Sequence, residues 1–246
     1  ERVEDVDLEE PAFIEGLPGV GQVGKLAVEH LIEEFDTTLV RRVHSEHLPP
    51  QVLVDDDGVA NLVNAAVYAV ETEGRDLLLL TGDQQAADGP GHYRLTNAFL
   101  DIAEEFDVAD IYALGGVPTG ELVEEHDVIG AVSTEEFKES LESVGVEFRP
   151  EEPAGGIVGT SGLLVGLGKR RNIPAACLMG ETSGYLVDPK SARAVLEALT
   201  KQLDFEVGYE SLEERADEME EVMETLQDME EGAGSVPTDD DLRYIG

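Results

Sequence analysis

The segment Gly16-Leu17-Pro18-Gly19-Val20-Gly21-Gln22-Val23-Gly24-Lys25 has residue types and spacings that bind phosphate, and it meets two such patterns in part. Gly19, Gly21 and Gly24 form G-x-G-x-x-G, the turn that brings a pyrophosphate to a helix N-terminus. Gly19 to Lys25 forms G-x-x-x-x-G-K, but Leu26 stands where a hydroxyl would hold Mg²⁺. The dinucleotide pattern is also incomplete. Gly16-Leu17-Pro18 separates it from the apolar Ala12-Phe13-Ile14, and Arg41-Arg42 replace the acid that would hold a ribose. Arginines there suit a 2′-phosphate, so an NADP reading stays open. The preferred reading is a tight strand-to-helix turn in which Gly16, Pro18, Gly19, Gly21 and Gly24 set the backbone path and no cofactor is needed.

A second group could do acid–base or nucleophilic work. Strands expected to end at Gly82, Gly115-Gly116 and Gly180 would bring Asp83, His92, Glu181, Thr182 and Ser183 to the carboxyl edge of a sheet, where α/β folds place ligands. This supports one alternative, a small-ligand enzyme (nucleoside or amide hydrolase, or phosphorylase-like) centred on Asp83 and Glu181. Gly159-Thr160-Ser161-Gly162 fails the nucleophile elbow because residue 163 is Leu, so Thr160 or Ser161 reads as a helix cap. His44 and His47 adjoin Pro49-Pro50, off any helix, and lack the Cys/His cluster of a metal site. His30 is expected to face outward on the first helix, and His126 to sit among acids in a loop. No catalytic residue and no metal ligand is assigned.

The elements that position these residues alternate short apolar runs with amphipathic ones, the pattern of an α/β layer protein. Strands are expected at 12–15, 39–44, 51–54, 60–64, 66–71, 76–81, 110–114, 128–132 and 175–180. Helices are expected at 20–35, 92–106, 134–143, 161–171, 189–203 and 209–231. Asp55-Asp56-Asp57-Gly58 has the chemistry of a hairpin turn, and such hairpins imply a mixed sheet. Ser133 or Thr134, and Asp188 ahead of Pro189, read as helix caps. Three segments follow: a body over 1–207, an acidic helix over 208–231 and a flexible tail over 232–246. Between Glu210 and Glu231 stand eleven acids and one base, Arg215, a local charge of −10. Leu212, Ala216, Met219, Met223 and Leu226 form a seam that suits either the chain's own body or another subunit.

Composition narrows the function classes. The 246 residues carry 55 acids against 16 bases, a net charge of −39, and only five of the bases are lysines. Such self-repulsion disappears at molar salt, where the Debye length is about 3 Å, so the chain reads as adapted to a salt-rich cytoplasm. Without a basic stripe, nucleic acid and anionic membranes are excluded as partners. Cys177, the one cysteine, lies in an apolar run and is expected to be buried and inert. The start, Glu1-Arg2-Val3-Glu4-Asp5, lacks the basic and apolar regions of a signal peptide, and no apolar run is long enough to span a membrane.

The series of segments as a whole resembles the proteasome assembly chaperone family, specifically archaeal proteins similar to its second eukaryotic member. The likeness is carried by Gly16 to Lys25, His47-Leu48-Pro49-Pro50-Gln51-Val52-Leu53-Val54, residues 77–85, Gly91-His92-Tyr93, residues 112–116, residues 159–168 and residues 180–189. It implies a three-layer α/β/α sandwich with a mixed sheet, similar to nucleoside phosphorylases and some hydrolases. It also implies a homo-oligomer that binds proteasome α-subunits and assists core-particle assembly without ATP. Proteasome activators of this kind dock through a C-terminal hydrophobic-Tyr-any motif. Here Leu242, Tyr244, Ile245 and Gly246 stand in that region, with Tyr244 one position upstream of the pattern.

Overall fold

The structure, a computed structural model, describes residues 1–219 apart from 73, 122, 124 and 125. Its centre is a seven-stranded sheet built from β1 (Ala12–Gly16), β2 (Thr38–Val43), β5 (Ala65–Val70), β6 (Leu77–Gly82), β7 (Asp110–Pro118), β8 (Val128–Val132) and β9 (Ala175–Thr182). Strands β3 (Val52–Val54) and β4 (Ala60–Leu62) pair as a separate hairpin. The sheet order is β2-β5-β6-β1-β7-β9-β8, with β6, β1, β7 and β9 parallel and β5 and β8 antiparallel to their neighbours. It is the mixed sheet expected from the hairpin signals.

The central strands read as unbroken apolar runs because both of their faces are covered. Leu77 to Leu80 are all fully buried, and they alternate. Leu77 and Leu79 join Ile14, Tyr112 and Leu114 in one core, beneath α1 (Val23–Glu34), α3 (Glu135–Glu142) and α5 (Pro189–Leu203). Leu78 and Leu80 join Phe13, Ile111 and Ala113 in the other, beneath α2 (Gly89–Glu105) and α4 (Gly159–Arg170). The result is the three-layer α/β/α sandwich.

Local chemistry fixes the helix starts. Asp88, Thr134 and Asp188 accept the backbone N–H groups of Gly91, Phe137 and Ser191, and Pro90 and Pro189 occupy the first turns of α2 and α5. Both edges of the large sheet are covered. Arg42 N–H donates to the Glu1 carbonyl and Val3 N–H to Val40 along β2, while Glu147 exchanges hydrogen bonds with Val128 and Gly130 along β8.

Two expectations change. Strands β7 and β9 run past their glycines to Pro118 and Thr182, because each supplies the other's ladder partners as far as the Pro118–Thr182 pair. His30 faces inward and is fully buried, because the C-terminal segment lies over α1. A further helix is described over residues 210–219, and its Leu212 and Ala216 are buried. Leu212 belongs to the same core as α1 and α5, so the start of the acidic seam packs on its own body. The rest of the expected helix, to residue 231, and the 232–246 tail lie outside the described residues. No described helix is long and apolar enough to cross a membrane.

Candidate functional site

The glycine segment is a packed joint. An added Cβ at Gly24 would lie 2.0 Å from the Leu114 carbonyl oxygen, and one at Gly16 would lie 2.1 Å from that of Gly24. Their missing side chains let α1 settle against β1 and β7. Gly21 has φ +60° and lies over Thr182, whereas Gly19 is extended, and a Cβ added there would have no neighbour closer than 3.9 Å. Lys25 pairs with Glu29 (3.4 Å) and Asp83 (3.7 Å). Arg41 is also committed elsewhere. Its buried guanidinium binds Glu105 at 2.7 Å on the edge strand β2.

Strand β1 passes into α1 on one face of the sheet and β6 into α2 on the other, so the two connections diverge and open a crevice between them. An open cleft of about 590 Å³ sits there, lined by Pro18, Pro49, Gln85, His92, Val158 and Gly159 among others. Gln85 spans it, its Nε2 donating to the Pro18 carbonyl at 2.7 Å while its Oε1 accepts from Thr160 N–H at 3.4 Å.

Next to these residues, Glu15 is fully buried on the α4 side of β1. Its Oε1 accepts from Leu17 N–H at 3.0 Å and its Oε2 from the Ser161 hydroxyl at 2.9 Å. Burial pushes its carboxyl up to about 7, against the pull of those two donors. Ser161 therefore does not cap α4. Val158 holds the cap position without a side-chain bond, and Thr160 Oγ1 is buried without a partner. Sequence reasoning misses Glu15. One acid closing an apolar run is a signal, but it has little weight in a chain with 55 acids.

The five candidate cleft residues do not converge. Strands β1 and β7 separate β6 from β9, which puts Asp83 and Glu181 three strand spacings apart, roughly 14 Å. Asp83 is held by Lys25, whereas Glu181 joins Glu147 and Asp127 around Arg149, with contacts of 2.6, 2.7 and 2.8 Å. Thr182 is buried against Gly21 and Gly116, and the Ser183 hydroxyl accepts from Tyr185 N–H at 3.4 Å within its own turn. Only His92 lines the crevice, and its Nδ1 is buried without a partner. His44 and His47 take separate carboxylates, Glu1 and Asp88, and His126 Nδ1 meets the Glu181 carbonyl at 3.1 Å. Among the described residues no group of three His, Cys, Asp or Glu side chains is placed to hold a metal. Cys177 is buried, and burial raises its thiol pKa.

Exposed apolar residues give a clearer pattern. Of the eleven large hydrophobic residues exposed among those described, ten lie on loops, helix starts and the β3–β4 hairpin at the carboxyl edge of the sheet. They are Val20 after β1; Val52, Leu53, Val54, Val59 and Leu62 between β2 and β5; Tyr93 at the start of α2; Val158 ahead of α4; and Tyr185 and Val187 after β9. The loops support one another. Asp188 N–H donates to the Gly21 carbonyl at 2.9 Å, and a Cβ on Gly184 would meet Pro118 and Val20. An apolar pole on a body of this charge has the composition of a protein-binding surface. The sequence contains these side chains, but only the topology gathers them. Leu242, Tyr244, Ile245 and Gly246 lie outside the described residues.

Comparison with known proteins decides the family. The model of the PAC2 family matches residues 13–227. The chain belongs to the PAC2 family. This PAC2 protein is 40% identical to an uncharacterised protein of Methanocaldococcus jannaschii, over 100% of this chain and 96% of that one. Among solved structures it is similar to Pyrococcus furiosus PbaB, described as an archaeal proteasome activator, with 39% identity and a TM-score of 0.87 over 92% of this chain and 97% of that one. It is also similar to Pyrococcus furiosus PbaA, described as an archaeal homologue of proteasome-assembly chaperone, with 28% identity and a TM-score of 0.77 over 93% and 92%.

Proposed function

We propose that this PAC2 protein is an ATP-independent, homo-oligomeric factor that engages proteasome α-subunits and assists core-particle assembly or opening, in a salt-rich cytoplasm. The observation that carries this reading is the gathering of exposed apolar side chains on one pole of an acid-rich body. The likeness to PbaB over nearly its whole length supports the choice of partner. The pole is the proposed docking face, and Leu242, Tyr244, Ile245 and Gly246 are the proposed second contact.

The test is co-elution of the purified chain with purified proteasome α-subunits at molar KCl, with and without ATP. A stable complex in both conditions supports the reading, and absence of a complex in both overturns it. A second reading, a small-ligand site, is favoured by the crevice lined by Gln85, His92 and Gly159 near the Glu15–Ser161 pair rather than by Asp83 and Glu181. A ligand there would raise the melting temperature of the wild type and not of His92→Ala.

A further inference from the structure

The hairpin β3–β4 breaks a rule that the rest of the surface keeps. Val52 pairs with Leu62, Leu53 with Asn61 and Val54 with Ala60, so Val52, Val54, Ala60 and Leu62 share one face and Leu53 points to the other. All six strand residues are exposed, Val54 by 65% and Leu62 by 56%. Among the described residues the two strands pair only with each other, although the edges of the large sheet are both covered. A two-stranded ribbon alone is marginal in water, and aliphatic side chains exposed on both faces gain nothing there.

The turn, by contrast, is firmly made. Asp55 accepts from Val59 N–H at 2.8 Å, from Asp57 N–H at 3.2 Å and from Asn61 Nδ2 at 3.2 Å, and Gly58 takes φ +79°. With Asp55 used inside the turn, Asp56 and Asp57 are left exposed at the tip. The hairpin is thus an aliphatic stem with an anionic end, standing on the apolar pole.

We propose that this hairpin is an insertion finger, and that its occupant is a partner protein's apolar cleft rimmed by lysine or arginine. Val52, Val54 and Leu62 fill the cleft while Asp56 and Asp57 pair with the rim. Charge selects this occupant over a second copy of the chain. Each copy carries −39, so docking finger to body brings the anionic tip onto another strongly anionic surface at low salt. At molar salt, where that repulsion is screened, a second copy still offers Asp56 and Asp57 no opposite charge in contact. A basic rim gains from the same charges. The inference rests on the proposed engagement of proteasome α-subunits and names the chemistry of the surface they would offer.

The experiment measures affinity of the full chain for purified proteasome α-subunits at 0.1 M and at molar KCl, for wild type, a stem variant (Val54→Ser with Leu62→Ser) and a tip variant (Asp56→Asn with Asp57→Asn); the lower salt sets a Debye length of about 10 Å. Both variants should keep the wild-type melting temperature, since they alter exposed positions and leave Asp55 in place. The stem variant should lose about tenfold or more in affinity at both salts, as truncated apolar anchors do. The tip variant should lose affinity at low salt, and the loss should vanish at molar KCl. Wild-type affinity in the stem variant would overturn the finger while leaving the proposed function standing. No binding by the wild type would overturn both. A stem variant that changes the self-association of the chain, seen by light scattering, while α-subunit affinity stays constant would assign the finger to a second copy and overturn the proposal. A tip variant unchanged at low salt would overturn the basic rim.

Discussion

The Ser161 hydroxyl donates to Glu15 Oε2 at 2.9 Å, joining the start of α4 to the carboxyl end of β1 through a side chain with no exposed surface. The second oxygen is taken by Leu17 N–H, and neither partner carries a positive charge. Burial therefore governs this carboxyl, which is held near 7 rather than at its usual 4.5. The folded state keeps a proton that the unfolded state has released between those values. The sign follows from that difference. Below about pH 4.5 Glu15 carries no penalty, and as pH rises toward 7 the penalty grows until the folded state also ionises. Unfolding free energy should thus fall by up to about 3 kcal/mol from this group between pH 4.5 and 7, at about 1.4 kcal/mol per unit. In Glu15→Gln the amide oxygen can accept from Leu17 while its NH₂ donates to Ser161 Oγ. Urea titrations at molar KCl should show wild type and variant converging at pH 4.5, with the variant more stable at pH 8. Parallel curves would refute the assignment.

The glycine joint predicts a sharp contrast between two neighbours in one motif. Gly24→Ala places a methyl 2.0 Å from the Leu114 carbonyl, against backbone that cannot yield without moving α1 off β7. It should cost about 3 kcal/mol or more. Gly19→Ala meets nothing closer than 3.9 Å at an extended φ of −156°, and should stay within about 0.5 kcal/mol of wild type. Chemical denaturation of the two variants checks the contrast, and equal costs at Gly19 and Gly24 would refute the packed joint.

Salt dependence should concentrate at Arg149. Its guanidinium gathers Glu181, Glu147 and Asp127 within 2.8 Å and Glu152 at 3.6 Å, so its loss leaves four carboxylates facing one another. Arg149→Gln should cost about 1–2 kcal/mol at 0.1 M KCl and much less at molar KCl, because the cluster is partly open to solvent and screens accordingly. The wild type should itself gain melting temperature across the same KCl series, given its −39 charge. A penalty independent of salt would mean that Arg149 acts through packing alone.

How much is legible in the sequence depends on the range of the interaction. The elements follow from local patterns: the leucine run of β6, the Asp55–Gly58 turn and the caps at Thr134 and Asp188 each contain their own signal. Reading Thr160 or Ser161 as a cap of α4 fails because the competing partner, Glu15, is 146 residues away from Ser161. Bringing Asp83 and Glu181 together fails because strand order is a long-range property. Each lies beyond a strand-end glycine, but β1 and β7 come between them. The apolar pole is hidden for the same reason, since Val20, Val54, Val158 and Tyr185 are far apart in sequence and only the strand order places them all at one edge of the sheet.

His30 shows the same effect, and its test concerns how the C-terminal helix is held. On α1 alone its position reads as outward, yet the ring is fully buried beneath the 208–211 segment. Nε2 lies 2.6 Å from the Gly208 carbonyl, which can only accept, so Nε2 carries the hydrogen. Nδ1 is then free to accept from the Ser211 hydroxyl at 2.9 Å. Tyr209 stacks on the ring with centroids 6.1 Å apart, and Leu212 enters the core one residue beyond Ser211. His30→Leu keeps the apolar bulk but leaves a part-buried carbonyl and hydroxyl without their protein partner, at about 1–2 kcal/mol. That cost should appear locally. Amide exchange at residues 208–216 should quicken tenfold or more, at about 1.4 kcal/mol per decade, while β1 and β6 exchange as in wild type. Uniform loss of protection across the sheet would instead make His30 an ordinary core residue with no special hold on the C-terminal segment.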